Sequence, residues 1–247
     1  MKLENRNVVI TGGGTGIGFG LAQGFARRGS RVLICGRREA PLDEAVARIP
    51  GLHARVCDVT VSNQIEQLLE EARAVLGSVD VLINNAGVVS YFNLAKKPQA
   101  LDEQLRDIDI DLCGAIRMTH HFLPELLNQP AATILNVTSA SAYVPLAIMP
   151  IYSAAKAALH SYTLSLRVSL RRSAVEVIEI APPPVETPMT EGAPIPVMPL
   201  PDLLSATFEG LERGDAELRP GDAAQVFELS RMEPIEAARL LNTGGRG

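Results

Sequence analysis

Cysteine is scarce in this sequence. Cys35, Cys57 and Cys113 are the only three in 247 residues, and their spacing fits no set of metal ligands. An odd, sparse set argues against a disulfide scaffold and for a reducing, cytoplasmic location. Each is expected to act as a small buried hydrophobe. Long apolar runs are missing too: none reaches 18 residues, so no membrane span is expected. Charge of one sign is not in excess. Lys and Arg number 23 against 28 Asp and Glu, a net charge of -5, which lacks the basic footprint of a nucleic-acid partner. The opening "MKLENRNVVI" enters a strand-like segment at once, and no signal peptide is expected. His120 and His121 are adjacent rather than four apart, so no metal site is expected from them.

What is present is a large apolar fraction, 47% of the chain, enough for a sizeable core. Short β-branched runs begin at 7 ("NVVIT"), 31 ("RVLIC"), 52 ("LHARVC"), 79 ("VDVLIN"), 132 ("ATILNV") and 175 ("VEVIEI"). Longer segments of helical period lie between them, such as "SNQIEQLLEEARAVLG" and "LCGAIRMTHHFLPELL". Nearly continuous apolar strands alternating with amphipathic helices indicate a parallel sheet buried on both faces. The expected fold is therefore α/β, a doubly wound parallel sheet in one domain over 1–247. After residue 181 the texture changes. "APPPVETPMTEGAPIPVMPLP" is proline-rich and irregular, and residues 181–214 read as a substrate loop with small helices. Residues 215–247 end in a helix containing "PIEAARLL".

Between the first strand and the first helix lies "TGGGTGIGFG". Glycines there allow positive φ and close backbone approach, and the helix start favours a diphosphate. In that context the loop reads as a Rossmann-type dinucleotide fingerprint. No Gly-Lys-Ser/Thr follows, so it is not a Walker loop. After the second strand, "CGRRE" places Arg37 and Arg38 where the adenine ribose is held. Guanidinium groups suit a 2′-phosphate, which favours NADP(H) over NAD(H).

Tyr152 and Lys156 stand four apart in "IYSAAKAALHSYTLSLR" and so share a helix face. An ammonium one turn away stabilises a phenolate and lowers its pKa. Ser139, at the end of the fifth strand, can converge with the phenol on one carbonyl oxygen. The apolar Leu146, Ile148, Met149, Met189, Ile195, Val197 and Met198 flank this place and suit an apolar or amphipathic carbonyl substrate. His160, one turn further along the helix, reads as a packed or solvated side chain.

With "TGGGTGIG" (11–18), "CDV" (57–59), "NNAG" (84–87), Ser139, "YSAAK" (152–156) and "PPPVET" (182–187) in order, the sequence resembles the short-chain dehydrogenase/reductase family over about residues 5–190. "LHARVCDVT", "VPLAIMPIYSAAKAALHSYTLSLR" and "VEVIEIAPPPVETPM" look like the bacterial oxidoreductase subgroup named after the lipoteichoic-acid D-alanylation operon. The resemblance implies hydride transfer between the nicotinamide and a carbonyl/alcohol pair. Tyr152 would be the general acid/base, Lys156 would tune it and bond the nicotinamide ribose, and Ser139 would polarise the carbonyl. Gly12, Thr15, Ile17 and Gly18 would line the diphosphate and ribose, and Asp58 and Val59 the adenine. Asn84, Ala86 and Gly87 would line the groove, and Val185 and Thr187 the carboxamide side. A non-catalytic nucleotide sensor or scaffold, and an epimerase or dehydratase on the same fold, are the alternatives.

The sequence departs from the family in three places. Asp111 in "IDIDLCG" replaces the usual relay asparagine; it could hold the same water, pair with Lys156 or alter the relay. Pro182–Pro183 replaces the usual Pro-Gly after the sixth strand. The last 32 residues do not match the family's glycine-rich tetramer tail. A homodimer through the helices around 102–127 and 152–172 is therefore expected, with the tetramer left open.

Overall fold

A computed structural model of the protein describes residues 1–92, 100–192 and 195–243. Among these residues seven strands form one sheet: β1 (Asn7–Thr11), β2 (Arg31–Gly36), β3 (His53–Val56), β4 (Val81–Asn84), β5 (Ala132–Val137), β6 (Val175–Ile180) and β7 (Glu217–Leu218). Their order is β3-β2-β1-β4-β5-β6-β7, and every pairing is parallel. All seven lie in one sheet, so the described residues form a single domain. Six strands stand where the apolar runs predict them. β7, only two residues long, adds an edge.

Side chains along a strand alternate between faces, and both faces of β1 are buried. Val8 and Ile10 pack with Leu21 and Phe25 of α1 (Gly16–Arg27) and with Phe208 and Leu211 of α7 (Leu200–Arg213). Val9, between them, joins the opposite cluster with Ile65 and Leu68 of α3 (Ser62–Leu76) and Met118 and Phe122 of α5 (Ala115–Leu127). Helix α2 (Glu39–Arg48) completes the first layer through Leu42 and Ala45.

The chain winds from β1 towards β3 on one side of the sheet, then returns to β4 and winds the other way. The point of reversal lies between β1 and β4, where such sheets open a crevice at their carboxyl ends. Three local features shape that crevice. Helix α4 (Leu101–Ile108) runs into a π-helical turn, Asp109–Gly114, before α5. Helix α6 (Pro150–Leu170) begins with proline in its first turn, where a missing N–H costs nothing. Beyond β6, a parallel bridge pairs Val185 with Met198. The expected final helix is two: α8 (Ala223–Met232) and α9 (Pro234–Thr243). Pro234 starts the second and cannot continue the first.

Candidate active site

The glycine loop is built from the end of β1. Gly12 has φ +64° and Gly16 φ +53°, left-handed values that side-chain-bearing residues adopt only with strain. Gly12 also lies against β4's continuation, where an added Cβ would stand 2.9 Å from Ala86 Cα. Thr11 fixes this junction: its Oγ1 accepts from Asn85 N (3.0 Å) and Ala86 N (2.9 Å). The first turn of α1 carries no acidic side chain. Its positive dipole end and free N–H groups are therefore left for an anion.

On the far side of the crevice stand the four residues singled out for catalysis. Ser139 follows β5, held by Thr138 N→Ile180 O and Ala140 N→Pro182 O, both 2.8 Å. Its Oγ accepts from Ser141 N (3.1 Å) and Ser141 Oγ (3.0 Å). Those two bonds occupy its lone pairs, so its own O–H is free to donate, and Tyr152 is the group it meets. Lys156 lies one turn along α6, with Nζ 5.6 Å from the Tyr152 ring centre. The ammonium donates to Val137 O at 3.0 Å and pairs with Asp111 Oδ1 at 3.1 Å. Asp111 Oδ2 in turn accepts from Val88 N at 2.9 Å. Asp111 thus makes the pair with Lys156, one of the three arrangements open to it.

The electrostatics correct one expectation. Lys156 does pull the Tyr152 phenol down, and the Ser139 hydrogen bond does the same. Burial outweighs both and Asp111 adds to it, so the phenol stands above its ordinary value. Lys156 loses by burial but gains more from Asp111 and Tyr152, and ends above its ordinary value. Asp111 is pushed up by burial, with Lys156 and the Val88 N–H opposing.

These groups share one cleft of about 500 Å³. Gly12, Thr15, Ile17, Arg37, Arg38 and Val59 line it. Ala86, Gly87, Asp111, Ser139, Tyr152, Lys156, Val185 and Thr187 line it as well, and a Cβ on Gly16 would lie 3.2 Å from Thr187 Cγ2. Arg37 and Arg38 are exposed, and the described residues give neither guanidinium an ion-pair partner. Of the apolar residues expected to flank the site, Met149, Met189 and Ile195 reach the wall, while Leu146, Ile148, Val197 and Met198 do not.

Three residues expected at the cofactor, Gly18, Asn84 and Asp58, are not among those lining the cleft. Gly18 is packing: a Cβ there would lie 2.3 Å from Gly12 O. Asn84 is buried, donating to Asn136 Oδ1 (2.8 Å) and Thr119 Oγ1 (3.1 Å). Asp58 turns the chain into α3, its Oδ1 accepting from Thr60 N (2.9 Å) and Thr60 Oγ1 (2.8 Å). Sequence reasoning passed over several residues of the wall, Asn85 and Arg106 among them. Asn85 was inside the quoted "NNAG" but overlooked beside its neighbour. Arg106 lines the cleft from α4, and it carried no motif. His160 is outside the cleft; its Nδ1 lies 2.8 Å from the buried Glu179 carboxylate.

Residues 6–194 match the family model described as short chain dehydrogenase. The chain belongs to the short chain dehydrogenase family. It is 42% identical over 191 residues to DltE of Bacillus subtilis (strain 168), an uncharacterized oxidoreductase, covering 77% of this chain and 76% of that protein. This is the subgroup that the sequence resembles. An uncharacterized oxidoreductase of Myxococcus xanthus is 33% identical, with 94% of each chain covered. Among solved short chain dehydrogenases, one from Burkholderia cenocepacia in complex with NADP superposes with a TM-score of 0.86 at 28% identity, covering 98% of this chain and 100% of that one. Another, from Burkholderia phymatum in complex with NAD, gives 0.86 at 22% identity over 100% and 99%; at that distance the likeness is one of fold.

Proposed function

We propose that this short chain dehydrogenase is an enzyme that transfers hydride between NADP(H) and a carbonyl/alcohol substrate. The observation that carries the reading is that Ser139, Tyr152 and Lys156 line the same cleft as the positive-φ glycine loop. The cleft fits a dinucleotide: its loop has room only where side chains are missing, and its helix start carries no competing acid. Bound there, the nicotinamide would supply the hydride. Tyr152 delivers the proton to the carbonyl oxygen, and Ser139 turns its free O–H onto the same oxygen. Lys156 steadies the phenolate left behind.

The preference for NADP(H) over NAD(H) rests on Arg37 and Arg38, two exposed guanidinium groups without a protein partner among the described residues. The substrate is an amphipathic carbonyl compound. Met149, Met189 and Ile195 take its apolar body, with 181–214 as the substrate loop and its small helices, and the exposed Arg106, without an ion-pair partner among the described residues, takes a polar or acidic end. The assembly is a homodimer across α5 and α6, where Leu127, Leu164 and Val168 are exposed. The three cysteines are free, in keeping with a cytoplasmic setting. None of the helices among the described residues is long and apolar enough to cross a membrane.

A panel of neutral and acidic carbonyl compounds, read at the nicotinamide absorbance with NADPH and with NADH, tests the function. Consumption of NADPH by at least one compound is expected. Tight cofactor binding without turnover of any compound would return the reading to a sensor.

A further inference from the structure

Asp111 changes the charge of the candidate catalytic cluster. The family pattern has a neutral amide there; here a carboxylate sits 3.1 Å from the Lys156 ammonium. Both are sealed from water, with side-chain exposures of 0% and 4%. The surrounding backbone is shaped to the pair. Val88 N holds Oδ2, and Val137 O holds Nζ. At Gly87 an added Cβ would stand 2.7 Å from Asp111 Oδ1 and 3.5 Å from Lys156 Nζ. Among the described residues Oδ1 finds no other hydrogen-bond donor, and the ammonium is its counter-group there.

A lone ammonium beside a buried phenol favours the phenolate. An ammonium paired with a carboxylate presents a dipole, whose field at the phenol is much weaker. The carboxylate itself also opposes a second negative charge nearby. The other groups facing this cluster do not restore the balance. Tyr91, from the segment after β4, would repel a phenolate once ionised. Asp107, one turn before Asp111, is buried and bonded to Ser90 N (3.0 Å) and Ser90 Oγ (2.8 Å), and it adds negative charge. His160, the next turn of α6, is tied to Glu179. Arg106, at the cleft wall, is exposed to solvent screening.

We propose that Asp111 is a positioning residue that cancels the Lys156 charge, so that Tyr152 stays a proton-bearing phenol into the alkaline range. Resting on the function proposed above, this sets the site for proton donation. A bound dinucleotide would supply the hydride for the carbonyl carbon, and the Tyr152 O–H bond would break as a new O–H forms on the substrate oxygen. Solvent then returns the proton to the phenolate.

The test reads the phenol directly, without substrate. Tyrosinate absorbance is titrated in the wild-type chain, in Asp111→Asn and in Asp111→Glu, each minus the same chain carrying Tyr152→Phe. In Asp111→Asn, which keeps an acceptor for Val88 N, the Tyr152 ionisation constant is expected to rise at least tenfold. Asp111→Glu, which keeps the charge, is expected to stay near wild type and serves alone should the amide variant fail to fold: a tenfold rise there would overturn the proposal. An unchanged or higher titration in a folded Asp111→Asn would overturn it as well. With an active carbonyl in hand, the alkaline limb of the reductive pH profile should move down in step in Asp111→Asn. Absence of turnover with a normal titration shift would sink the proposed function and leave the charge balance standing.

Discussion

Asn85 and Gly12 are joined across the ends of two neighbouring strands. The Asn85 side-chain amide donates to Gly12 O at 3.2 Å and to Thr11 O at 2.9 Å. The glycine loop is thereby tied to the segment that leads from β4 to Asp111's partner, Val88. Asn85→Ala removes both bonds and leaves two carbonyls without this donor. Each such loss costs roughly 0.5–1.5 kcal/mol. Binding of NADPH and NADH is expected to weaken by similar factors, measured by fluorescence titration. A loss confined to one dinucleotide would contradict this.

Gly18→Ala probes the same unit from the helix side. The new Cβ would lie 2.3 Å from Gly12 O and 2.5 Å from Asn85 Nδ2. A backbone carbonyl cannot step aside cheaply, and overpacking of this kind costs about 1–3 kcal/mol. The urea midpoint should fall accordingly. An unchanged midpoint would mean that α1 slides along the sheet without penalty.

Tyr152→Phe keeps the ring and removes the O–H that the mechanism spends. Turnover is expected to fall by ~10²–10⁴, while NADPH binding stays near wild type. Normal activity in this variant would remove Tyr152 from the reaction.

Arg37→Ala together with Arg38→Ala separates the dinucleotides. A hydrogen bond to a charged group contributes about 1.5–3 kcal/mol, so NADPH should weaken roughly 10- to 100-fold while NADH changes little. Equal losses would show that neither guanidinium meets a 2′-phosphate.

Arg106→Leu addresses the substrate. With an acidic carbonyl compound KM should rise at least several-fold at little cost in kcat, and with a neutral one both should hold. A uniform fall in kcat for both classes would point to damage in α4 instead.

Burial, with the Glu179 carboxylate adding to it and Arg219 opposing, pushes Tyr143 up to about 12. Unfolded, it titrates near ~10. Between those values the unfolded chain binds fewer protons than the folded one, so stability falls as pH rises. Tyr143→Phe should flatten that slope in urea midpoints compared on the two sides of pH ~10. An identical slope would mean that the phenol already ionises in the folded chain.

Much of this was legible in the residues. Apolar runs buried on both faces fix strand positions almost by themselves, because no other element tolerates β-branched residues at every position. That is why β1, β5 and β6 coincide with "NVVIT", "ATILNV" and "VEVIEI". The turn at Asp109–Gly114 was not legible. "DIDLCG" has an ordinary helical pattern, and its widening answers to neighbours such as Val59, where a Cβ on Gly114 would lie 2.6 Å from Cγ2. β7 is too short to leave a period, and it exists because β6 offers it an edge. At the site, motif spacing placed Ser139, Tyr152 and Lys156 together. It could not separate a residue that lines a cleft from its neighbour that props the wall, as with Asn85 and Asn84. Nor could it weigh burial against a nearby charge, which reverses the expected direction at Tyr152.

The last helix reaches back to the entrance of α6. Asn242 accepts from Ala147 N at 2.6 Å and donates to Pro145 O at 2.9 Å, clasping the strip that leads to Met149 and then to Tyr152. A single amide some ninety residues downstream thus braces the strip that runs into the wall of the pocket at Met149. Asn242→Ala would therefore loosen the approach to α6 without touching Ser139, Tyr152 or Lys156.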